Sequence, residues 1–323
     1  MSTLPATERI PATRRLRDRL GDRLLLGLTL AASVAVVALM IAIVYKVLQG
    51  ANPAFDKFGL SFLWSSDWDA NIQKNLFGAL PGLYGTAVTS AMALIIAVPL
   101  AIAIALFLSE LAPRGVRGIV GSLVELLAAI PSVVLGLWGI LVMAPFVSTH
   151  VEPWLHRWFG FIPLFSGKPG SSGLFMAGLI LAIMVVPIIA SICRELFLSV
   201  PRELEEGAIA LGSTRWEMVR GVILSSSRPG VAAAIVLGLG RAIGEAIAVT
   251  QVIGAGWSIQ SSLFVPGDTL ASRIAGQFQG AESNLQRASL FYLAAILLVI
   301  GLLTNLAAQI IVRRFEYHRT GAD

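Results

Sequence analysis

The amino-acid sequence predicts an all-α integral membrane protein with six transmembrane helices. Three observations carry that reading. Of 323 residues, 56% are hydrophobic and 13% charged, with a mean hydropathy of +0.80; soluble domains hold about 25% charged residues. Six stretches are apolar over lengths that can cross a bilayer, which takes about 20 residues. The Lys and Arg residues gather between alternate stretches. This composition excludes an ordinary soluble enzyme, a disordered regulator and a DNA-binding domain. The lone Cys193 excludes a disulfide scaffold and a multi-thiolate metal site, and three histidines leave little for a metal cluster.

The first span is 24–45, uncharged between Arg23 and Lys46. It is too long for a signal-peptide core and lacks a small-residue cleavage site, so it is read as a span. The second is 84–108, inside the uncharged run 75–109. The third, 119–147, is interrupted only by Glu125, and the fourth lies within 169–193. The fifth, 231–256, carries Arg241 and Glu245, and the sixth is 288–312. The chain thus divides into a basic arm (1–23), a first helix with its loop (24–74), a core of five helices (75–315) and a tail (316–323). Sixteen of the 24 Lys and Arg lie in 1–23, 110–118, 194–228 and the tail after 312, against six in the loops 49–80, 148–172 and 257–287. Positive charge marks the cytoplasmic side, so both termini are expected inside a bacterial plasma membrane. The net charge of +5 is therefore a topology signal, with no nucleic-acid partner. Trp64, Trp68, Phe62, Trp154 and Trp158 fall in the opposite loops. They are expected at the lipid headgroups, with a partner-docking surface as the alternative.

The segment 199–224 reads as two short helices. Pro201 suits a first helical turn, and Glu203, Glu205 and Glu206 favour the positive end of that helix. Leu204, Ala208 and Leu211 share one face at helical spacing. Gly212 suits the left-handed residue after a helix. Thr214 and Glu217 have the spacing of a capping box. On these residues alone, a docking element and a plain surface hairpin stand even.

The segment resembles the signature loop of the binding-protein-dependent ABC importer permeases: Glu-Ala-Ala, three residues, Gly, nine residues, Ile, one residue, Leu-Pro. Here it is Glu206-Gly207-Ala208, Gly212 and Val222-Ile223-Leu224-Ser225, with Gly207, Val222 and Ser225 departing from the pattern. Two further segments, Ala129-Ile130-Pro131-Ser132-Val133-Val134-Leu135-Gly136-Leu137-Trp138-Gly139 and Gly238-Leu239-Gly240-Arg241-Ala242-Ile243-Gly244-Glu245-Ala246-Ile247-Ala248-Val249-Thr250, resemble the phosphate-specific members, C-subunit type. The resemblance covers 75–315. It implies a type I permease core that imports inorganic phosphate. It implies a paralogous permease as heterodimer partner, two ATP-binding subunits and an extracytoplasmic phosphate-binding protein. It makes 201–224 the coupling helix, with Leu204, Glu206, Ala208, Leu211 and Gly212 meeting the ATPase. It implicates Arg241 and Glu245 in transport.

Charges inside spans cost about 2.5–3.5 kcal/mol each and survive where they face a cavity or a partner. Arg241 and Glu245 are four apart and stack on one helix face, with Gly240 and Gly244 at small-xxx-small spacing. They read either as an internal salt bridge or as a cation on an anion path. Pro131 and Ser132 imply a kink or break in the third span, which suits a path-lining helix as well as simple packing. Glu125, about 9 Å before Pro131 along a helix, is a third path candidate or an ordinary end charge. No P-loop is present, since Gly167-Lys168 is followed by Pro169. His150 and His156 are six apart, which is wrong for one helix face, and His318 is in the tail. An intramembrane enzyme is therefore disfavoured, and no cofactor is expected in this chain. A passive channel or scaffold would explain the spans but not the docking loop. Another oxyanion, sulfate or molybdate, is the alternative cargo.

Overall fold

The structure is a computed structural model that describes residues 12–71 and 74–320. It falls into two units, one ending at Gln49 and the other beginning at Gly50. Residues 1–11 of the basic arm 1–23 and residues 321–323 of the tail lie outside the described residues. The first unit is the leading part of helix α1 (Ala12–Phe58). Its apolar side chains from Leu24 to Tyr45 are exposed, as befits a helix surrounded by lipid.

The second unit contains the other spanning helices. These are α2 (Leu80–Leu111), α4 (Ser132–Phe159), α5 (Leu174–Leu198), α7 (Arg215–Gly244) and the membrane-length part of α10 (Asn284–Thr320). Shorter helices are α3 (Arg114–Ala129), α6 (Arg202–Ala210), α8 (Ile247–Val252) and α9 (Leu270–Gln277). A two-residue antiparallel ladder pairs Trp68 with Phe77 and Asp69 with Leu76.

The core is built on α5. Its apolar residues Ile180, Val185, Ile189 and Cys193 are fully buried. Helix α2 packs on it through Ala93, Ala97, Ala101 and Ala105, every one fully buried. Alanine at every fourth position makes a smooth stripe that lets two backbones approach closely, the usual basis of helix association in lipid. Glycine does the same elsewhere. A Cβ on Gly178 would lie 2.7 Å from Met92, and one on Gly238 would lie 2.9 Å from Val185 and Ile189.

The structure moves the expected spans three, four and five. Helix α3 stops at Ala129, and Ile130 is extended at φ −65°, ψ 127°. Proline 131 causes this, because it disfavours the helical conformation in the residue before it and lacks an N–H. The third span is therefore Ser132–Phe159 rather than 119–147, and Glu125 lies before it on a separate helix. Span four begins at Leu174 because the Gly, Ser and Pro residues of 166–173 remain a loop. The helix that carries span five runs Arg215–Gly244 and ends before Glu245, so the span stops at Gly244 instead of reaching 256.

The loops of one end of this unit form a polar and aromatic cap. Arg273 Nε lies 3.0 Å from Asp268 Oδ2, with both side chains 5% exposed. The guanidinium sits 4.1 Å from the Trp257 ring centre and 5.2 Å from that of Trp68. Asp268 also accepts from the Ser272 hydroxyl and from the Thr269 N–H. Burial pushes the Asp268 carboxyl up; Arg273 and these hydrogen bonds oppose the shift. Trp68 Nε1 donates to Gln277 Oε1 at 2.8 Å, and Phe62 stacks on Tyr292 at 4.5 Å. These two aromatics thus pack within the chain, correcting the headgroup expectation for them, whereas Trp64, Trp154 and Trp158 are exposed.

Removing one partner of a buried ion pair costs about 3–5 kcal/mol. Asp268→Ala is expected to lower the thermal unfolding midpoint of the detergent-solubilised protein, because it strands Arg273. The Asp268→Leu/Arg273→Met double substitution is expected to recover most of the loss. An unchanged midpoint in the single variant would show that the pair contributes nothing.

Candidate functional site

Two interrupted helices meet in the interior. Helix α7 ends at Gly244, and Glu245 turns extended at φ −72°, ψ 118°. The chain restarts as α8 at Ile247. Arg241 Nη2 lies 3.3 Å from Glu245 Oε2, the arginine side chain 46% exposed and the glutamate 6%. The other carboxylate oxygen, Oε1, accepts the Ala248 N–H at 3.3 Å. The expected i, i+4 pair thus exists, but it straddles a helix end instead of lying along a continuous helix. Gly238, one turn before Arg241, packs against Val185 and Ile189 in the middle of α5. The guanidinium therefore belongs to the middle depth of the bundle.

The second interruption is Ile130-Pro131. Helix α4 starts at Ser132, with the N–H groups of Val134 and Leu135 both directed at the Pro131 carbonyl. Its first two turns lie on α8 and α5. A Cβ on Gly136 would stand 2.8 Å from Ala248 Cα, and one on Gly139 would stand 2.7 Å from Ile180. The structure thus brings the Pro131-Ser132 segment beside the helix that follows Glu245. Glu125 is elsewhere. It lies 3.7 Å from Arg194, near the far end of α5, with its side chain 67% exposed.

Arg241 also lines a groove of about 500 Å³ between α7 and α10 with Gly240, Gly244, Gly301, Thr304 and Asn305. Among the described residues, nothing beyond the local helix backbone lies within 4 Å of a Cβ placed on Gly240, Gly244 or Gly301. The close approach expected at the first two is left open here. Thr304 and Asn305 are absent from the sequence-based candidates. Their signal is an adjacent hydroxyl and amide inside the otherwise apolar run 297–303 and 306–308.

The second candidate surface is the 199–224 hairpin. Pro201 is the cap of α6, one residue before the expected first turn. Gly212 is left-handed at φ +90°. The Thr214–Glu217 capping box is complete, the Thr214 N–H donating to Glu217 Oε2 at 2.8 Å and the Glu217 N–H to Thr214 Oγ1 at 3.3 Å. These bonds hold the Glu217 carboxyl below its ordinary range. Leu211 is 90% exposed, and Leu204, Ile209 and Trp216 are exposed beside the charged Glu206; Ala208 is half-buried. Glu110, Glu205, Ile209, Trp216 and Met218 line a groove of about 430 Å³. Partial burial pushes the Glu205 carboxyl up, and nearby Glu110 adds to that. Apolar side chains exposed on a capped hairpin mark a candidate interaction surface.

Among the described residues, six membrane-length helices and a capped hairpin after the fourth give the architecture of a multi-pass membrane protein, and its likeness to known proteins makes it a transport permease. The fold matches a solved bacterial ABC transporter involved in the import of the acidic polysaccharide alginate. The TM-score is 0.58 at 21% identity, over 92% of this chain and 99% of that one. Residues 97–317 match the family described as binding-protein-dependent transport system inner membrane component, and the chain belongs to that family. It is 42% identical to the phosphate transport system permease protein PstC of Pasteurella multocida, over 94% of this chain and 95% of that protein. It is equally similar to the protein of that name from Mesorhizobium japonicum, 42% identical over 98% of each chain.

Loss of an N-cap hydroxyl costs about 1 kcal/mol. Thr214→Ala is expected to speed amide exchange at 215–218 roughly fivefold. Because the folded pKa of Glu217 is depressed, its contribution is present above the ordinary carboxylate range and is lost as pH falls through that lower value. Protection of the 215–218 amides in the wild type, with exchange corrected for its intrinsic rate, is therefore expected to fall as pH drops below the ordinary carboxylate range. Equal exchange in variant and wild type would remove the capping box from the account.

Proposed function

We propose that the chain is the transmembrane permease subunit of an ATP-driven importer of inorganic phosphate. The observation that carries this reading is Arg241, a half-exposed guanidinium at middle depth beside a buried carboxylate. Near neutral pH phosphate carries between one and two negative charges, and a guanidinium offers it a planar fork of donors. Arg241 lowers the barrier for the anion, and Glu245 competes for the same donors so that the anion does not stay. Pro131 and Ser132 lie along the same path, because the helix that begins at Ser132 aims its positive end inward. Glu125, paired with Arg194 near the far end of α5, is left as an end charge outside this path. The name shared by the relatives supports phosphate as cargo.

Energy enters through the 201–224 hairpin. Leu204, Glu206, Ala208, Leu211 and Gly212 meet an ATP-binding subunit, and two such subunits drive this permease and a paralogous one as a pair. An extracytoplasmic phosphate-binding protein delivers the anion to the opposite end. Both termini then lie in the cytoplasm of a bacterial inner membrane, on the side that holds sixteen of the 24 basic residues. The chain supplies no cofactor and no hydrolytic chemistry under this reading.

Uptake of labelled phosphate into proteoliposomes holding the complete complex is expected to need ATP and the binding protein, with sulfate left outside. Sulfate uptake instead would overturn the cargo. Charge-assisted hydrogen bonds contribute about 1.5–3 kcal/mol. Arg241→Ala is therefore expected to cut uptake at least about tenfold while assembly and membrane level persist. Normal uptake would take Arg241 off the path. Glu206→Lys is expected to release the ATPase during affinity purification, and a retained, active ATPase would remove the docking role.

A further inference from the structure

We infer that Gln251 is a positioning residue of the translocation path, its amide tying the helix restart at Ile247 to the helix restart at Ser132. The inference rests on the proposal that the Arg241 region carries phosphate. Gln251 belongs to α8, which begins directly after the Glu245 interruption. Its Nε2 donates to the Val133 carbonyl in the first turn of α4, 118 residues earlier, at 3.4 Å. Gly136, one turn further on, makes this contact possible, since a Cβ there would stand 3.0 Å from the Gln251 side-chain amide.

Among the described residues, α8 is held by a backbone bond from the Gly173 N–H to the Val252 carbonyl at 3.2 Å and by three side-chain contacts. Glu245 Oε1 accepts the Ala248 N–H at its start. Thr250 Oγ1 reaches the Ser272 carbonyl of α9 at 3.4 Å. Gln251 reaches α4. Of these, the Gln251 bond joins one interrupted helix to the other. Gln251 is half-buried, and a leucine would fill much the same volume there without a donor for the Val133 carbonyl. What the amide adds is a fixed distance between the two interruptions. When the junction after Glu245 moves, the Ser132 turn moves with it, and Arg241 keeps its geometry toward that turn. Gln251 itself does not touch the anion.

The test is ATP-driven phosphate uptake by the complete complex in proteoliposomes. Wild type is run beside Gln251→Leu, Gln251→Glu, Gly136→Ala and the Gln251→Leu/Gly136→Ala double variant. If wild type takes up no phosphate, the path reading fails and the inference falls with it. Given wild-type uptake, Gln251→Leu is expected to lower the maximal rate about three- to tenfold, the range of interhelical hydrogen bonds in membranes. The half-saturating phosphate concentration and the subunit content are expected to stay as in wild type. Gln251→Glu keeps the shape and loses the donor, so it is expected to do the same. The double variant is expected to fall no further than the weaker of the two single variants, because both open one junction. A wild-type maximal rate in Gln251→Glu, a change confined to the half-saturating concentration, or losses that multiply would each overturn the inference while leaving the path reading standing.

Discussion

A helix that stops inside a bilayer strands backbone groups where no water can reach them. This protein meets the same problem at two helix stops, the start of α4 and the end of α7. At the first, the residue is proline, which has no N–H to strand, and its carbonyl takes two N–H groups from the next turn. At the second, the carboxylate of Glu245 meets an N–H of the restarting helix. That forces a buried anion into the bundle, and Arg241 four residues earlier offsets its charge. Arg241 is thereby held near a carboxylate yet left half in the open.

Much of this was legible in the sequence, for identifiable reasons. The six spans follow from apolar length, and the hairpin follows from local chemistry. Gly212, Thr214 and Glu217 act on neighbours within three residues, so spacing alone reveals them. The bounds of the third and fifth spans were not legible. Hydropathy continues unbroken across Pro131 and past Glu245, while the backbone does not. The approach of Pro131 to the segment after Glu245 was also hidden, because it depends on two glycines, Gly136 and Gly139, whose meaning lies in what stands opposite them.

The cap formed by Asp268, Arg273, Trp257 and Trp68 illustrates the same limit. In the sequence, an aspartate and an arginine five apart in a loop are unremarkable, and tryptophans near span ends point to lipid. In the fold, the two rings, 5.0 Å apart and tilted against each other, both lie against the guanidinium although they come from distant segments. A cation among aromatics and a single buried counter-charge make an anchor that exists only once long-range contacts have formed. Through α9 and the Thr250 contact this anchor also bears on α8, so the loops at that end and the interrupted helices share one support.

The alanine stripe of α2 has a consequence in the gene. Ala93, Ala97, Ala101 and Ala105 leave no space at their methyl groups. A single base change in an alanine codon yields valine, threonine, serine, proline, aspartate, glutamate or glycine. Most of these are bulkier or charged, and proline breaks the helix. Glycine and serine alone come close to fitting. A helix of the plainest residue is thus among the least forgiving stretches of the coding sequence, and drift along it is expected to be slower than its chemical blandness would lead one to think.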